Sequence, residues 1–223
     1  MRIKRGLKLG DYDTAANGWT LCAWALGSAP QKTNYVEKTG GDGSWDLSTA
    51  LTDGLLRYGD RDFSATLECS EGDRLHREAI IAELVNTLDG ARVRLELPDD
   101  KEHYLVGRLS ISKSYNDMAH CSVAISATCE PWKYRKSDTV VRLTAATEQK
   151  KAELVNHGRR AVVPTITVSG PGASVLLSYG SKSISSTAAT FKWAELLLTP
   201  GIHDLTYSGA GSIEIRYQEA ALE

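Results

Sequence analysis

The sequence predicts a mainly β protein in two parts, an α+β N-terminal unit followed by a β-sandwich or jelly roll. Three observations predict it: a regular apolar–polar alternation over residues 91–129, a single helical stripe just before it, and a series of short strand-like runs in the last third of the chain, separated by Gly, Pro and Ser. With 223 residues, the chain is long enough for one large domain or two small ones, and either buries a core of ordinary size.

The helix comes first. In "SEGDRLHREAIIAELVNTLDG" the residues Arg77, Ile81, Leu84 and Leu88 share one face, with Ile80 and Val85 alongside. Ser70 or Asp73 can cap its start, and Gly90 stands where a helix leaves through a left-handed residue. Next, "ARVRLELPDD" alternates Val93, Leu95 and Leu97 against Arg92, Arg94 and Glu96, turns at Pro98-Asp99-Asp100 and resumes in "HYLVGRLSISKSY". A second turn at "YNDMAH" leads into "HCSVAISATC", where Cys121, Val123, Ile125, Ala127 and Cys129 alternate with His120, Ser122, Ser126 and Thr128, Ala124 being the one small exception. The pattern is that of an antiparallel β-meander with one buried face. Pro131 ends it, because proline has no N–H for a ladder and restricts the residue before it.

Between Glu130 and Pro164 the pattern loosens. "ATEQKKAELVNHGRRAVVP" has good helix formers in its first half and a turn at Asn156-His157-Gly158. The domain boundary is placed near Lys136, giving domains 1–136 and 137–223. Beyond it lie "PTITVSG", "SVLLSYG", "KSISS", "ATFKW", "AELLLTPG", "IHDLTYSG" and "SIEIRYQE", with "GPGAS" at 170–174 read as a hairpin turn. No helix is needed there.

Composition and motifs exclude several function classes. Lys plus Arg (26) nearly balances Asp plus Glu (28), for a net charge of -2, so no polyanion-binding field is expected. No window has the apolar length of a membrane span, and the basic start "MRIKRGLKLG" lacks the apolar core of a signal peptide, so the expectation is a protein used without export and without a membrane partner. Cys22, Cys69, Cys121 and Cys129 form no C-x-x-C pair. On one straight strand Cys121 and Cys129 would lie about 26 Å apart, so these two are read as reduced core residues. His120 and Cys121 point to opposite faces of a strand, which argues against zinc. No nucleophile elbow, metalloprotease helix, phosphate loop or dinucleotide fingerprint is present, and Asp99-Asp100 reads as a solvated turn. Neither catalytic residues nor a cofactor or metal is expected. Tyr179, Trp193, Tyr207 and Tyr217 raise a sugar-binding alternative, against which Tyr207 and Tyr217 fall inside strand alternation, where aromatics are core or cross-strand partners. Trp19 and Trp24 are read as core.

The order of short motifs narrows the reading. Asp46-Leu47 follows a Gly-containing turn; Tyr58-Gly59-Asp60-Arg61 follows; then come a helix ending near Asp89-Gly90, Tyr104 with Gly107-Arg108, and Pro131-Trp132-Lys133-Tyr134. In this order they resemble the N-terminal belt domain of the distal tail proteins of long-tailed, siphovirus-type phages. "VNHGRRAVVPTITVSG" and "LTPGIHDLTYSGAGSIEIRY" resemble that family's second domain, a galectin-like or carbohydrate-module-like β-sandwich. The first 40 residues depart most from the pattern.

The resemblance implies a β-sandwich belt domain with one helix and a meander, closing head to tail into a homohexamer ring around a DNA channel. It implies a structural hub of the tail tip or baseplate, assembled in the host cytoplasm and carried in the virion. Implied partners are further copies of itself, the tail tube protein, a tail-tip or tail-associated protein, the tape-measure protein and receptor-binding proteins, with DNA only in passage. Asp46, Tyr58, Gly59, Arg61, Gly90, Gly107, Arg108, Pro131, Trp132 and Tyr134 are expected to be structural, and Trp132→Ala is expected to cost about 3–5 kcal/mol if Trp132 is buried. Arg92, Arg94, Glu96, Lys113, Ser122 and Ser126, read as the outward face of the meander, are candidates for ring contact or channel lining. Another tail tube or tip subunit, or a carbohydrate-binding adhesion module, is the alternative.

Overall fold

The computed structural model describes residues 5–52, 54–117 and 119–223. The chain divides into two compact units, Met1–Lys133 with Leu222, and Tyr134–Ala221 with Glu223. The sequence reading drew the line a few residues later, at Lys136.

In the first unit, β1 (Lys8–Leu9), β2 (Tyr12–Asp13) and β3 (Thr20–Leu26) precede a small hairpin of β4 (Tyr35–Glu37) and β5 (Ser44–Asp46). Then come β6 (Arg61–Cys69), α1 (Arg74–Leu88), β7 (Arg92–Glu96), β8 (His103–Asn116) and β9 (Cys121–Cys129). All but the hairpin join one antiparallel sheet in the order β2-β1-β7-β8-β9-β6-β3. The predicted meander is therefore its centre, and β9 pairs with β6 without a register shift from Arg61↔Cys129 to Cys69↔Cys121.

Asp73 caps α1, its carboxylate accepting the His76 N–H at 2.8 Å. At the other end Gly90 takes φ +74° and donates its N–H to the Leu109 carbonyl at 3.0 Å, while the Asp89 carboxylate accepts the Ile111 N–H at 2.8 Å. Both bonds lay the helix along β8. Arg77, Ile81, Leu84 and Leu88 are its buried residues. The three apolar ones join Leu67, Leu109, Val123 and Ile125 in one core, to which Trp19 also belongs. Arg77 is buried because its guanidinium is fully employed: it donates to the Gly72 and Asp117 carbonyls at 2.7 and 2.8 Å.

One sequence expectation for this unit is corrected. Trp24 is 37% exposed, since β3 is the edge strand and its register slips between Leu21 and Ala23. Cys121 and Cys129 are buried and reduced, as is Cys69, while Cys22, at that slip, is exposed. Trp132 is half-buried.

In the second unit, after β10 (Lys133–Arg135) at the boundary, the strands are β11 (Thr139–Ala145), β12 (Lys150–Asn156), β13 (Thr165–Tyr179), β14 (Lys182–Thr187), β15 (Ala189–Lys192), β16 (Gly201–Tyr217) and β17 (Ala220–Ala221). The helix formers of residues 150–155 thus sit in a strand, with 146–149 the turn before it, because Ala152 and Leu154 alternate toward a core that a helix would miss. The short runs of the sequence also fuse. "IHDLTYSG" and "SIEIRYQE" are one strand, β16, and "GPGAS" lies inside β13 as an irregularity between Ser169 and Ser174, where a hairpin turn was expected.

That irregularity builds the unit. Along β13 the buried residues are Ile166 and Val168 before it, and Ala173, Val175 and Leu177 after it, so the buried face changes parity. β16 keeps its parity from Leu205 to Tyr217 but passes Gly209 and Gly211 at φ +120° and +112°. One end of this long pair carries β11 and β15, the other β12 and β14. The two halves share one core, from Ile166, Ile213 and Ile215 to Leu154, Leu177 and Leu205, so the kinked pair folds both over it. Asn156 closes one end: buried, it donates to the Arg160 and Leu198 carbonyls at 2.9 Å each and accepts the Gly158 N–H at 2.9 Å.

A Cβ at Gly209 would stand 2.1 Å from the Ser174 carbonyl oxygen. Gly209→Ala is therefore expected to cost about 3 kcal/mol or more. Gly172→Ala, at φ +62° with nothing within 4 Å, should cost about 1 kcal/mol. Urea unfolding of the two variants checks the contrast, and equal losses would contradict the kink as the controlling feature.

Candidate functional site

Tyr58, Gly59, Arg61, Pro131 and Trp132 converge on the place where the β4–β5 hairpin leaves the sheet. Arg61 opens β6 and is 3% exposed. Its Nε donates to the Gly27 carbonyl at 2.7 Å, and its Nη1 to the carbonyls of Leu222 at 2.6 Å and Pro131 at 3.5 Å. Beside it, the Gly27 N–H donates to Asp62 and the Gly59 N–H to Pro30, both at 2.7 Å. The Tyr58 ring meets Trp132 edge to face at 5.4 Å. The outgoing chain at 27–30 and the returning chain at 58–61 are thus pinned together and to Pro131-Trp132.

Arg61 also begins a row across the sheet, opposite Cys129, which is opposite Gly107, which is opposite Val93. A Cβ at Gly107 would stand 2.6 Å from the Cys129 sulfur and 3.1 Å from the Thr128 carbonyl oxygen. The glycine after Tyr104 is required by that approach. Burial pushes the Cys129 thiol up to about 11, with the Arg61 cation pulling the other way, so the row holds a neutral thiol beside a charged guanidinium. Arg108, the next residue, is exposed and donates to the Gly90 carbonyl. Tyr134 belongs to the second unit, buried beneath the Arg160 guanidinium at 5.4 Å.

From this root an arm projects. Asp46 ends β5 and is exposed; hydrogen bonds from the Ser48 side chain and N–H hold its carboxyl below the usual range. Around it Tyr35 is 61% exposed, Trp45 59%, Leu51 99%, and Val36, Leu47 and Leu56 more than 40%. Lys38 sits 5.0 Å over the Trp45 ring. The sequence reading missed this surface, because the apolar residues of 35–56 follow neither strand nor helix periodicity. The signal available was that irregularity itself, beside the Gly-rich "TGGDGSW".

The ring or channel candidates do not form one set. Arg92, Arg94 and Ser126 are exposed on the sheet face away from α1, and Glu96 is partly exposed there. Arg92 pairs with Glu130, and the Arg94 guanidinium lies 4.7 Å over the Tyr104 ring. Ser122 is on that face but 2% exposed: its register neighbours are Glu68 and Tyr115, whose side chains meet at 3.4 Å. Lys113 is on the opposite face. It is the register partner of buried Val123, and its Nζ pairs with Glu78 of α1 at 2.5 Å. Lys113 precedes the slip in β8 and keeps the parity of Leu109 and Ile111, so the alternation itself puts it on the helix side, and its charge was what made it read as outward.

No group of His, Cys, Asp and Glu able to hold a metal is found among the described residues, and no helix among them is long and apolar enough to cross a membrane. Trp193, the anchor of the sugar-binding alternative, is 6% exposed, which removes it as a stacking platform.

No family model matches this chain, and no curated protein matches it. Among solved structures, the Dit protein of phage SPP1 superposes with a TM-score of 0.71 at 13% identity, covering 96% of this chain and 98% of that one. The chain has the Dit fold. That Dit protein is described as a paradigm of the hub adsorption apparatus in phages infecting Gram-positive hosts. Two structures of the phage P2 baseplate in its activated conformation, with Ca and with Sr, match over 92% of both chains at 10% and 8% identity. Their TM-scores of 0.42 and 0.44 are too low to carry an argument.

Replacing Arg61 by Met keeps the side chain's length but leaves the carbonyls without their donor, for an expected loss of about 3 kcal/mol or more in urea unfolding. Trypsin should then cut the arm at Lys32, Lys38 or Arg57 faster than in the native protein; unchanged cleavage would remove Arg61 as the clamp. Trp132→Ala, half-buried and in one ring contact, should cost only about 1–2 kcal/mol, and a loss above about 4 would contradict this placement.

Proposed function

We propose that this chain is a structural hub of a phage tail, a ring-forming distal tail protein that joins the tail tube to the tail-tip or baseplate proteins around a channel for DNA. The observation that carries the reading is the Dit fold over nearly the full length of both chains. The exposed apolar arm supports it. A two-stranded hairpin is marginal alone in water, and one bearing Tyr35, Trp45 and Leu51 in solvent needs a partner surface. The reading supplies one in the neighbouring copy.

In this proposal the first unit, the belt, closes head to tail into a homohexamer. A shallow groove of about 400 Å³ between Trp24 of edge strand β3 and Ser126 of β9 is offered as the seat for the next copy's arm. Such a contact is heterologous, so it closes a ring when its rotation divides a full turn. Tail tube, tail-tip, tape-measure and receptor-binding proteins are the further partners, with DNA passing through. The second unit is a galectin-like sandwich whose partner is another tail protein. The protein acts as scaffold and conduit without catalysis, in the virion after assembly in the host cytoplasm. The main rival is a tube or tip subunit, which would stack into long tubes.

Light scattering at several concentrations, with negative-stain images of the same fractions, tests the reading. The expected result is a six-subunit ring with an open centre, lost when Tyr35 and Trp45 are both changed to Ser while the monomer's melting temperature holds. Open tubes would favour the rival, and rings that survive the double substitution would reject the arm as the joint.

A further inference from the structure

Cys69 and Cys121 are apart in sequence but adjacent in the sheet. Cys69 is the last residue of β6 and Cys121 the first of β9, and they are direct register partners. Their exposures are 2% and 0%, and both belong to the α1-side core. As direct register partners, the two side chains leave the same face of the sheet side by side. Residues directly opposite in an antiparallel pair have Cα atoms about 4.5–5.5 Å apart, inside the ~4.4–6.8 Å range that a disulfide spans. The third buried cysteine, Cys129, stands opposite Arg61 and Gly107 instead.

We propose that Cys69 and Cys121 are a disulfide-forming pair, a redox clasp that closes across the β6–β9 ladder on reaction with a small-molecule disulfide. One cysteine loses its proton to solvent and its thiolate attacks the small disulfide, expelling one thiolate, which takes up a proton. The partner cysteine, deprotonated in turn, attacks the protein sulfur of the mixed disulfide and expels the second thiolate. Two protons and two electrons leave the protein, one S–S bond forms in it, and the reagent ends as two thiols.

The surroundings make this a gated reaction. Burial pushes the Cys121 thiol up, with Arg77 pulling the other way, so the closed pair is inert and reacts when the strand ends open. The Cβ that Gly18 lacks would stand 4.0 Å from the Cys69 sulfur, so that side of the thiol is screened by bare backbone. Once formed, the bond closes a loop holding α1, β7 and β8, which restricts the unfolded chain and stabilises the first unit. The clasp belongs to the isolated chain and stands or falls separately from the hub reading; within that reading, it closes when a particle leaves the reducing host interior.

The test uses the full chain with exposed Cys22 changed to Ser, freed of reductant and incubated with oxidised glutathione. Intact mass should fall by about 2 Da, peptide mapping should find Cys69 linked to Cys121, Cys129 should remain free, and Tm should rise by about 5 °C. Adding Cys69→Ala should abolish the link; if that variant does not fold, the linked peptide in the Cys22→Ser protein decides alone. Three free thiols after treatment, a glutathione adduct that never closes, or a link to Cys129 would overturn the pairing. A linked pair without a rise in Tm would overturn its role as a clasp.

Discussion

The first unit depends on one buried cation. Arg61 sits at the end of β6 nearest the arm's root, and its guanidinium meets carbonyls from segments distant in sequence. A buried guanidinium is tolerated only where its donors are used, so the position specifies its neighbours. Gly27 must turn its carbonyl inward, Pro131 must follow β9 directly, and Cys129 must lie opposite with no side chain on Gly107. Three motifs that look unrelated along the chain, those at 58–61, 104–108 and 131–134, are one constraint in space. A fixed polar junction demands particular residues, while the apolar core accepts any that fill it.

The same contrast decides what could be read from sequence. The meander was legible because one face is buried and period two follows directly; the helix was legible because Ile81, Leu84 and Leu88 repeat toward a single sheet. Legibility was lower at the ends of the ladder. Lys113 keeps the parity of Leu109 and Ile111 and lies on the helix side, where Glu78 of α1 takes its charge, so its charge misled where period two did not. On edge strand β3 a slip just before Trp24 turns that side chain out. In the second unit the glycines that read as turns are bends inside long strands. A turn and a bend use the same residues, and only the pairing of β13 with β16 on both sides of Gly209 and Gly211 tells them apart.

The candidate site was half legible. Its root was visible as motifs, since each motif residue is fixed by a specific neighbour. The arm was invisible because none of the described residues covers its apolar side chains, and periodicity reports only burial within the chain. Tyr35, Trp45 and Leu51 follow no internal face because they have none to follow.

Rigidity at the root and exposure at the tip suit each other. Burying a Trp, Tyr or Leu side chain contributes about 1.5–3 kcal/mol, so a few such residues docked together could hold two copies, provided the arm does not have to be ordered first. Ordering a loose loop costs about 1–2 kcal/mol per residue, enough to cancel the gain over a segment of this length. The clamp of Arg61, Gly59 and the Tyr58–Trp132 contact fixes both ends of the arm during folding. In the ring we propose, the ends of the arm are then fixed before the neighbouring copy arrives, and more of its exposed apolar surface can act as binding energy.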